Sequence, residues 1–250
     1  SGFYEYNGGA WTRLTTGDAD NSGNTMTAFG GGLAADFGAS GLYFYNGARW
    51  TRLTTGNAQW LASYSGKLAV DFGASGLYEY NGSAWTRLTP GNADNSGNTM
   101  AAYDGGLAVD FGASGLYFYN GARWTRISSA KPQWLTSYGG KLAGEFGAYG
   151  LWKYDGAWTK ISTGNPDNSG NTMAAYAGGL AVDFGSSGLY FYNGAGWTQL
   201  STANPQWLRA YGNKLAVDFG SSGLWQYNGS SWTRITTGNA DNSGNTMIDW

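Results

Sequence analysis

Apolar and polar positions alternate along this chain in short runs, each cut off by Gly, Asn or Ser. Residues 60–89 show the unit: WLASY, then KLAVDF, then LYEYN, then WTRLT. Each run is rich in aromatic and aliphatic residues and bounded by turn formers, the pattern of a β-strand. The four runs predict strands A (60–64), B (67–72), C (77–81) and D (85–89). Asn-Gly pairs at 46–47, 81–82, 120–121, 193–194 and 228–229 predict tight type I′ hairpins between C and D, because both residues tolerate positive φ.

The unit repeats. The glycine opening the word GLYxY stands at Gly2, Gly41, Gly76, Gly115, Gly150, Gly188 and Gly223. The spacing alternates near 39 and 35 because two D–A loops take turns, TGNADNSGNTM and TGNAQWL. A period in this range predicts a repeat architecture. Four antiparallel strands with apolar residues on both faces cannot bury themselves alone; stacked radially, each sheet covers the next. Small residues in strand A (Ala62, Ser63, Ala101, Ala102, Thr136, Ser137) suit a crowded central channel. The expected fold is therefore an all-β propeller of short four-stranded antiparallel blades, one domain over residues 1–250. A solenoid of stacked hairpins is the second architecture. Seven blades are expected, the last closed by an N-terminal C–D hairpin (2–15) and a C-terminal A strand (246–250). That closing blade has no B strand of its own, which leaves room for a strand from another copy.

Composition narrows the function. The 250 residues include 43 glycines, 13 tryptophans and no cysteine or histidine. Without histidine there is no Ser-His-Asp or Cys-His catalysis and almost no zinc chemistry. The net charge of −2 comes with no basic cluster, against a nucleic-acid partner. No apolar stretch is long enough to insert in a membrane. The expected setting is extracellular or cell-surface, and no cofactor is required.

In such a blade the A–B and C–D turns share one face of the disc, and the longer, more polar B–C and D–A loops share the other. Loops on a rigid scaffold commonly carry function, so that second face is where a site is expected. Trp60, Trp134 and Trp207, each following Gln59, Gln133 or Gln206, could stack on sugar rings, with Asn98 and Asn171 contributing polar contacts; equally, the indoles could plug the gaps between blades. Of the loops DADNSGNT, NADNSGNT, NPDNSGNT and NADNSGNT, the first resembles the start of a calcium loop through Asp18 and Asp20; Asp20, Asp94, Asp167 and Asp241 would be the ligands common to all four copies, or the loops are self-capped turns. Every B strand carries an acid before Phe-Gly (Asp36, Asp71, Asp110, Glu145, Asp183, Asp218). A cation follows Trp-Thr in strand D at Arg13, Arg52, Arg87, Arg126, Lys160 and Arg234, with Gln199 the exception. Acids repeated once per blade suit an ion pair, a turn anchor or a repeated site, not a unique catalytic pair. Gly144, Lys153 and Arg209 break the repeat.

The word order, from small-residue strand through KLxVxFG and GLYxYNG to WTRLTTG, resembles tachylectin-2-like propeller lectins. It is also similar to the Trp-rich tandem repeats of bacterial propeller lectins of the fucose-binding Photorhabdus type. The resemblance covers the whole chain, although these blades are shorter and alternate in length. It implies multivalent binding of surface glycans in shallow pockets between neighbouring blades, without catalysis. A structural or engineered repeat that binds nothing is the alternative.

Overall fold

The computed structural model describes residues 3–6, 9–17, 20, 25–91, 93, 99–167 and 172–238. Among them are six four-stranded antiparallel sheets and one two-stranded hairpin, with 3-10 turns as the helical elements. The six blades run from Met26 to Thr54, Trp60 to Thr89, Met100 to Ser128, Trp134 to Ser162, Met173 to Ser201 and Trp207 to Thr236. Within each, strands pair in chain order A-B-C-D. In blade 2 these are Trp60–Tyr64, Lys67–Asp71, Leu77–Tyr80 and Trp85–Thr89.

Successive A strands lie side by side from blade 1 to blade 6. Each seam between blades is apolar. Trp60, Ala62, Tyr64, Ala69 and Leu77 of blade 2 pack on Met100, Leu107 and Val109 of blade 3, while Leu61, Leu68 and Val70 turn back to Phe29, Ala34 and Leu42 of blade 1. Both faces are thus apolar. The largest fully buried side chains are leucines such as Leu68, Leu77, Leu107 and Leu116. Each contributes about 1.5–3 kcal/mol by leaving water.

The hairpin, Phe3–Tyr6 and Trp11–Thr15, stands at a seventh position. Phe3 meets Met26, Leu33, Ala35, Phe37 and Trp50 of blade 1 just as Leu77 meets the matching residues of blade 3. On its other side, Tyr6 lies close enough to Tyr211 of blade 6 to help raise that phenol's pKa. Among the described residues the propeller therefore has six complete blades and the C–D half of the expected seventh. The predicted C-terminal A strand, 246–250, lies outside the described residues.

The C–D turns differ from expectation. Gly47 has φ +90°, but Asn46 is not in the left-handed region. Instead its Oδ1 accepts the amides of Ala48 and Arg49, both at 3.0 Å, an Asx-capped loop. The paired positive φ angles of a type I′ turn occur at the A–B hairpins, as at Ser65 (44°) and Gly66 (73°).

The glycine of the GLYxY word has a firm physical cause. Gly76 sits at φ +96° and ψ −174°, a region closed to side chains, and a Cβ there would lie 2.4 Å from the Thr89 carbonyl oxygen. Gly76→Ala should therefore destabilise the fold by about 3 kcal/mol or more. Chemical denaturation would show this as a lower midpoint; an unchanged midpoint would contradict the close approach.

Candidate functional site

The face carrying the B–C and D–A loops is built on the six buried acids. Asp36, Asp71, Asp110, Glu145, Asp183 and Asp218 are all essentially inaccessible. Each accepts the amide of the glycine two residues on: Gly38, Gly73, Gly112, Gly147, Gly185 or Gly220. Asp36 and Asp71 are also held by the amides of Ala58 and Ala93, on the loops that enter the following blades. The carboxylates are turn anchors, and in blades 1 and 2 they also reach across a seam. The strand-D cations are placed differently, two strands away at the rim. They lie over the aromatic rings of strand C, Arg13 on Tyr4, Arg87 on Tyr78, Lys160 on Trp152 and Arg234 on Trp225, at 5.7–6.0 Å.

Burial raises four of these acids. Asp36 is pushed up to about 6, and Asp71, Glu145 and Asp183 to about 7, against backbone hydrogen bonds that favour the charged form. Asp20 adds to the rise at Asp36, and Asp167 to that at Asp183.

One polar residue per described loop stands over the glycine of the B–C turn. Gln59 lies against Gly73, Gln133 against Gly147 and Gln206 against Gly220; in the long loops Asp20 and Asp167 take the same place over Gly38 and Gly185. Their backbone amides all bond the carbonyl of the blade's buried acid, as Gln59 does to Asp71 at 2.9 Å. The long and short loops therefore converge on one geometry, with Asp and Gln interchangeable.

The QWL tryptophans are placed otherwise than the sugar-stacking expectation requires. Trp60 and Trp207 are only 6% exposed, and Trp134 is half-buried against the next blade. They fill the seam. Strand alternation explains it: Trp60, Ala62 and Tyr64 share the face that meets blade 3. The WT tryptophans also bind blades together. The indole N–H of Trp158 donates to Ile127 O at 2.8 Å and that of Trp197 to Ile161 O at 3.1 Å.

Half-exposed aromatics on this face were not singled out by sequence reasoning. In all six blades the Phe ending the B segment packs on the strand-D indole, and in blades 1, 2, 3 and 5 it also meets the strand-C tyrosine edge-on. Phe37 does so with Tyr43 at 5.6 Å and Trp50 at 5.3 Å, and Phe184 does so with Tyr190 and Trp197. The GLYxY period was the available signal, since it places Tyr43, Tyr78, Tyr117 and Tyr190 in register. Blade 4 adds Tyr149, 74% exposed, whose carbonyl accepts the Trp152 indole N–H at 3.0 Å.

Asp18, Asp94, Asp241, Asn98 and Asn171 lie outside the described residues. Where the loops are described, Asp20 stands beside Asp36 and Asp167 beside Asp183. Two carboxylates fall short of the six to eight oxygens calcium takes, and no described cluster gathers three acids.

The opposite face holds a cavity of about 300 Å³ that sequence reasoning did not anticipate. The A–B turns of blades 2, 3 and 4 line it with Tyr64, Ser65, Tyr103, Asp104 and Tyr138. Ser65 Oγ donates to Gly105 O at 2.5 Å, tying two turns together.

No family profile and no curated protein matches the sequence. Solved structures do match. A chain of the Mitotic Checkpoint Complex is similar with a TM-score of 0.63 and 12% identity, over 88% of this chain and 78% of that one. The extracellular domain of BT3049 from B. thetaiotaomicron gives 0.62 and 17%, over 93% of this chain and 37% of that one. The Niastella koreensis GH74 enzyme gives 0.61 and 18%, over 91% and 37%. At such identities the likeness is one of fold. This is a β-propeller. The propellers it is similar to include an enzyme, a member of a multiprotein complex and an extracellular domain, so the fold leaves the activity open. Among the described residues no helix is long and apolar enough to cross a membrane.

The raised acids give the propeller a pH signature. A carboxyl whose folded pKa is raised stabilises the fold at low pH and loses that contribution as pH climbs from the ordinary value near 4 through about 7. The melting temperature should be higher at pH 5 than at pH 8, by on the order of 5 °C, and Asp71→Asn should flatten the slope. A melting temperature that rises with pH over this range would contradict the assignment.

Proposed function

We propose that this propeller is a non-catalytic, multivalent lectin. Its shallow sites repeat around the face that carries the B–C and D–A loops. The observation that carries the reading is rotational repetition: blade after blade presents a half-exposed aromatic group with the same turn and the same Gln or Asp beside it. An aromatic ring next to amide and hydroxyl groups suits the apolar face and hydroxyls of a sugar. Each site alone would be weak. Several on one rigid disc would gain roughly 10²–10⁴ by avidity on a glycan-coated surface. Glycans displayed outside the cell are the natural partners, and an extracellular or cell-surface location follows from that. The Asp-bearing loops are candidate calcium positions within the same reading.

A second reading, a structural repeat without a ligand, is favoured by one observation: the indoles of Trp60 and Trp207 are spent on packing. A glycan array, probed with calcium and again with chelator, separates the two. The lectin reading expects retention on a related set of sugars, and loss on chelation if calcium takes part. Tyr43, Tyr117 and Tyr190 changed together to Ala should cut retention at least tenfold while circular dichroism stays unchanged. A blank array from folded protein would leave the structural reading in place.

A further inference from the structure

Three blades carry a tyrosine and a lysine facing each other across the A–B turn, with a polar strand-C residue on the same sheet face. Only the third residue differs in charge. In blade 2, Tyr64 pairs with Lys67, and Ala69 with Glu79. In blade 6, Tyr211 pairs with Lys214, and Ala216 with Gln226. In blade 4, Tyr138 pairs with Lys141, and Ala143 with Lys153. The registers are identical, so Lys153 holds the ladder position of Glu79 and Gln226. The alanine between them leaves the tyrosine room to reach across.

In two of the three blades the tyrosine and lysine converge on an oxygen acceptor. The Tyr64 hydroxyl donates to Glu79 Oε2, and Lys67 Nζ lies 2.9 Å from Oε1 of the same carboxylate. The Tyr211 hydroxyl donates to Gln226 Oε1 at 2.6 Å, and Lys214 Nζ reaches that oxygen at 3.3 Å. Blade 4 keeps both donors and puts a third cationic donor where the acceptor should be. Its Tyr138 is 4% exposed, and the hydroxyl has no hydrogen-bond partner among the described residues. A buried hydroxyl left unpaired is destabilising, because it has given up water for nothing. Lys141 turns outward to Asp155 Oδ2 at 3.7 Å, a loose and largely exposed pair.

We infer that blade 4 carries an anion site: Tyr138, Lys141 and Lys153 bind the carboxylate of an external ligand in the place that blade 2 fills with Glu79. Burial pushes the Tyr138 phenol up to about 12, so it remains a donor at neutral pH. From blade 5 the seam offers Leu180, Val182, Tyr192 and Trp197, and the Tyr192 hydroxyl is engaged with Gly194 O at 2.8 Å. The one acid of blade 4 close to the group is Asp155, which an incoming carboxylate would displace from Lys141 or share it with. Tyr138 also lines the 300 Å³ cavity at the A–B turns together with Asp104 of blade 3, whereas Lys141 and Lys153 lie outside that lining, so the anion would sit on the lysine side of Tyr138. The site lies on the face opposite the proposed sugar sites and stands whether or not that reading holds.

Thermal unfolding tests it, with acetate and glucuronate as probes against chloride at equal ionic strength and pH 7. The wild-type chain should gain on the order of 3 °C at 100 mM acetate, as expected when a ligand binds only the folded state with a constant of about 10 mM. Lys153→Glu should raise the melting temperature without any probe, by restoring the internal acceptor, and should abolish the response. Tyr138→Phe should also lose the response; Tyr64→Phe, in blade 2, should keep it. A larger shift with glucuronate than with acetate would assign the carboxylate to an acidic sugar, and equal shifts to a simple anion; both uphold the site. No wild-type response, or equal responses in the wild type, Lys153→Glu and Tyr138→Phe, would overturn it.

Discussion

A sheet that is apolar on both faces must be covered on both, and the rest of this molecule depends on how each blade covers the next. The cover is specific in direction. The last residue of strand A meets the last tyrosine of strand C in the following blade: Phe29 with Tyr80, Tyr103 with Tyr154, Tyr176 with Tyr227. The same rule brings Tyr211 to Tyr6 and so draws the N-terminal hairpin into the ring. Leucine and valine fill the middle of each seam, and in blades 4, 5 and 6 the strand-D indole hydrogen-bonds back to the previous blade. Because every seam uses the same parts, the blades can differ only where the seam does not reach, at loops, rim and A–B turns.

That division explains which chemistry the repeat permits. A carboxylate buried six times over is a structural element. It holds its own B–C turn and, in blades 1 and 2, the loop entering the next blade. Burial opposes its charge, so the ring holds these acids at a cost that depends on pH. Rim cations such as Arg87 and Arg234 sit over half-exposed aromatic rings. Departures from the repeat are then informative. Gly144 makes room for Phe146 and Trp158, whose rings would meet a Cβ there at 2.8 and 3.1 Å. Lys153, two strands from Tyr138, removes an acceptor that its sister blades supply.

Much of the fold was legible because period and alternation are properties of the chain itself. The four runs of residues 60–89 match the observed strands to within a residue. The site was less legible, and the reasons are physical. Trp60 follows Gln59 in a polar loop, and composition there suggested exposure; its position as the first residue of a strand, on the face of Ala62 and Tyr64, decides for burial. The Asn-Gly turns carried the right residues for a type I′ hairpin, yet the Asn side chain found amides two and three residues on and capped a wider loop. The acids and cations alternate in sequence as ion pairs would, but they lie on B and D strands separated by strand C. Nothing local could have revealed that one tyrosine hydroxyl lacks a partner, because its acceptor in sister blades comes from a strand 15 residues away.

The central claim is that rotation has made one binding arrangement several times over. Native mass spectrometry of the chain, titrated with a sugar that it retains, reads the number of sites directly. The account predicts a ladder of bound states rising toward six, one per complete blade, with similar affinities at each step. Saturation at a single bound sugar would contradict it, and would mean that one blade's departures, rather than the repeat, make the site.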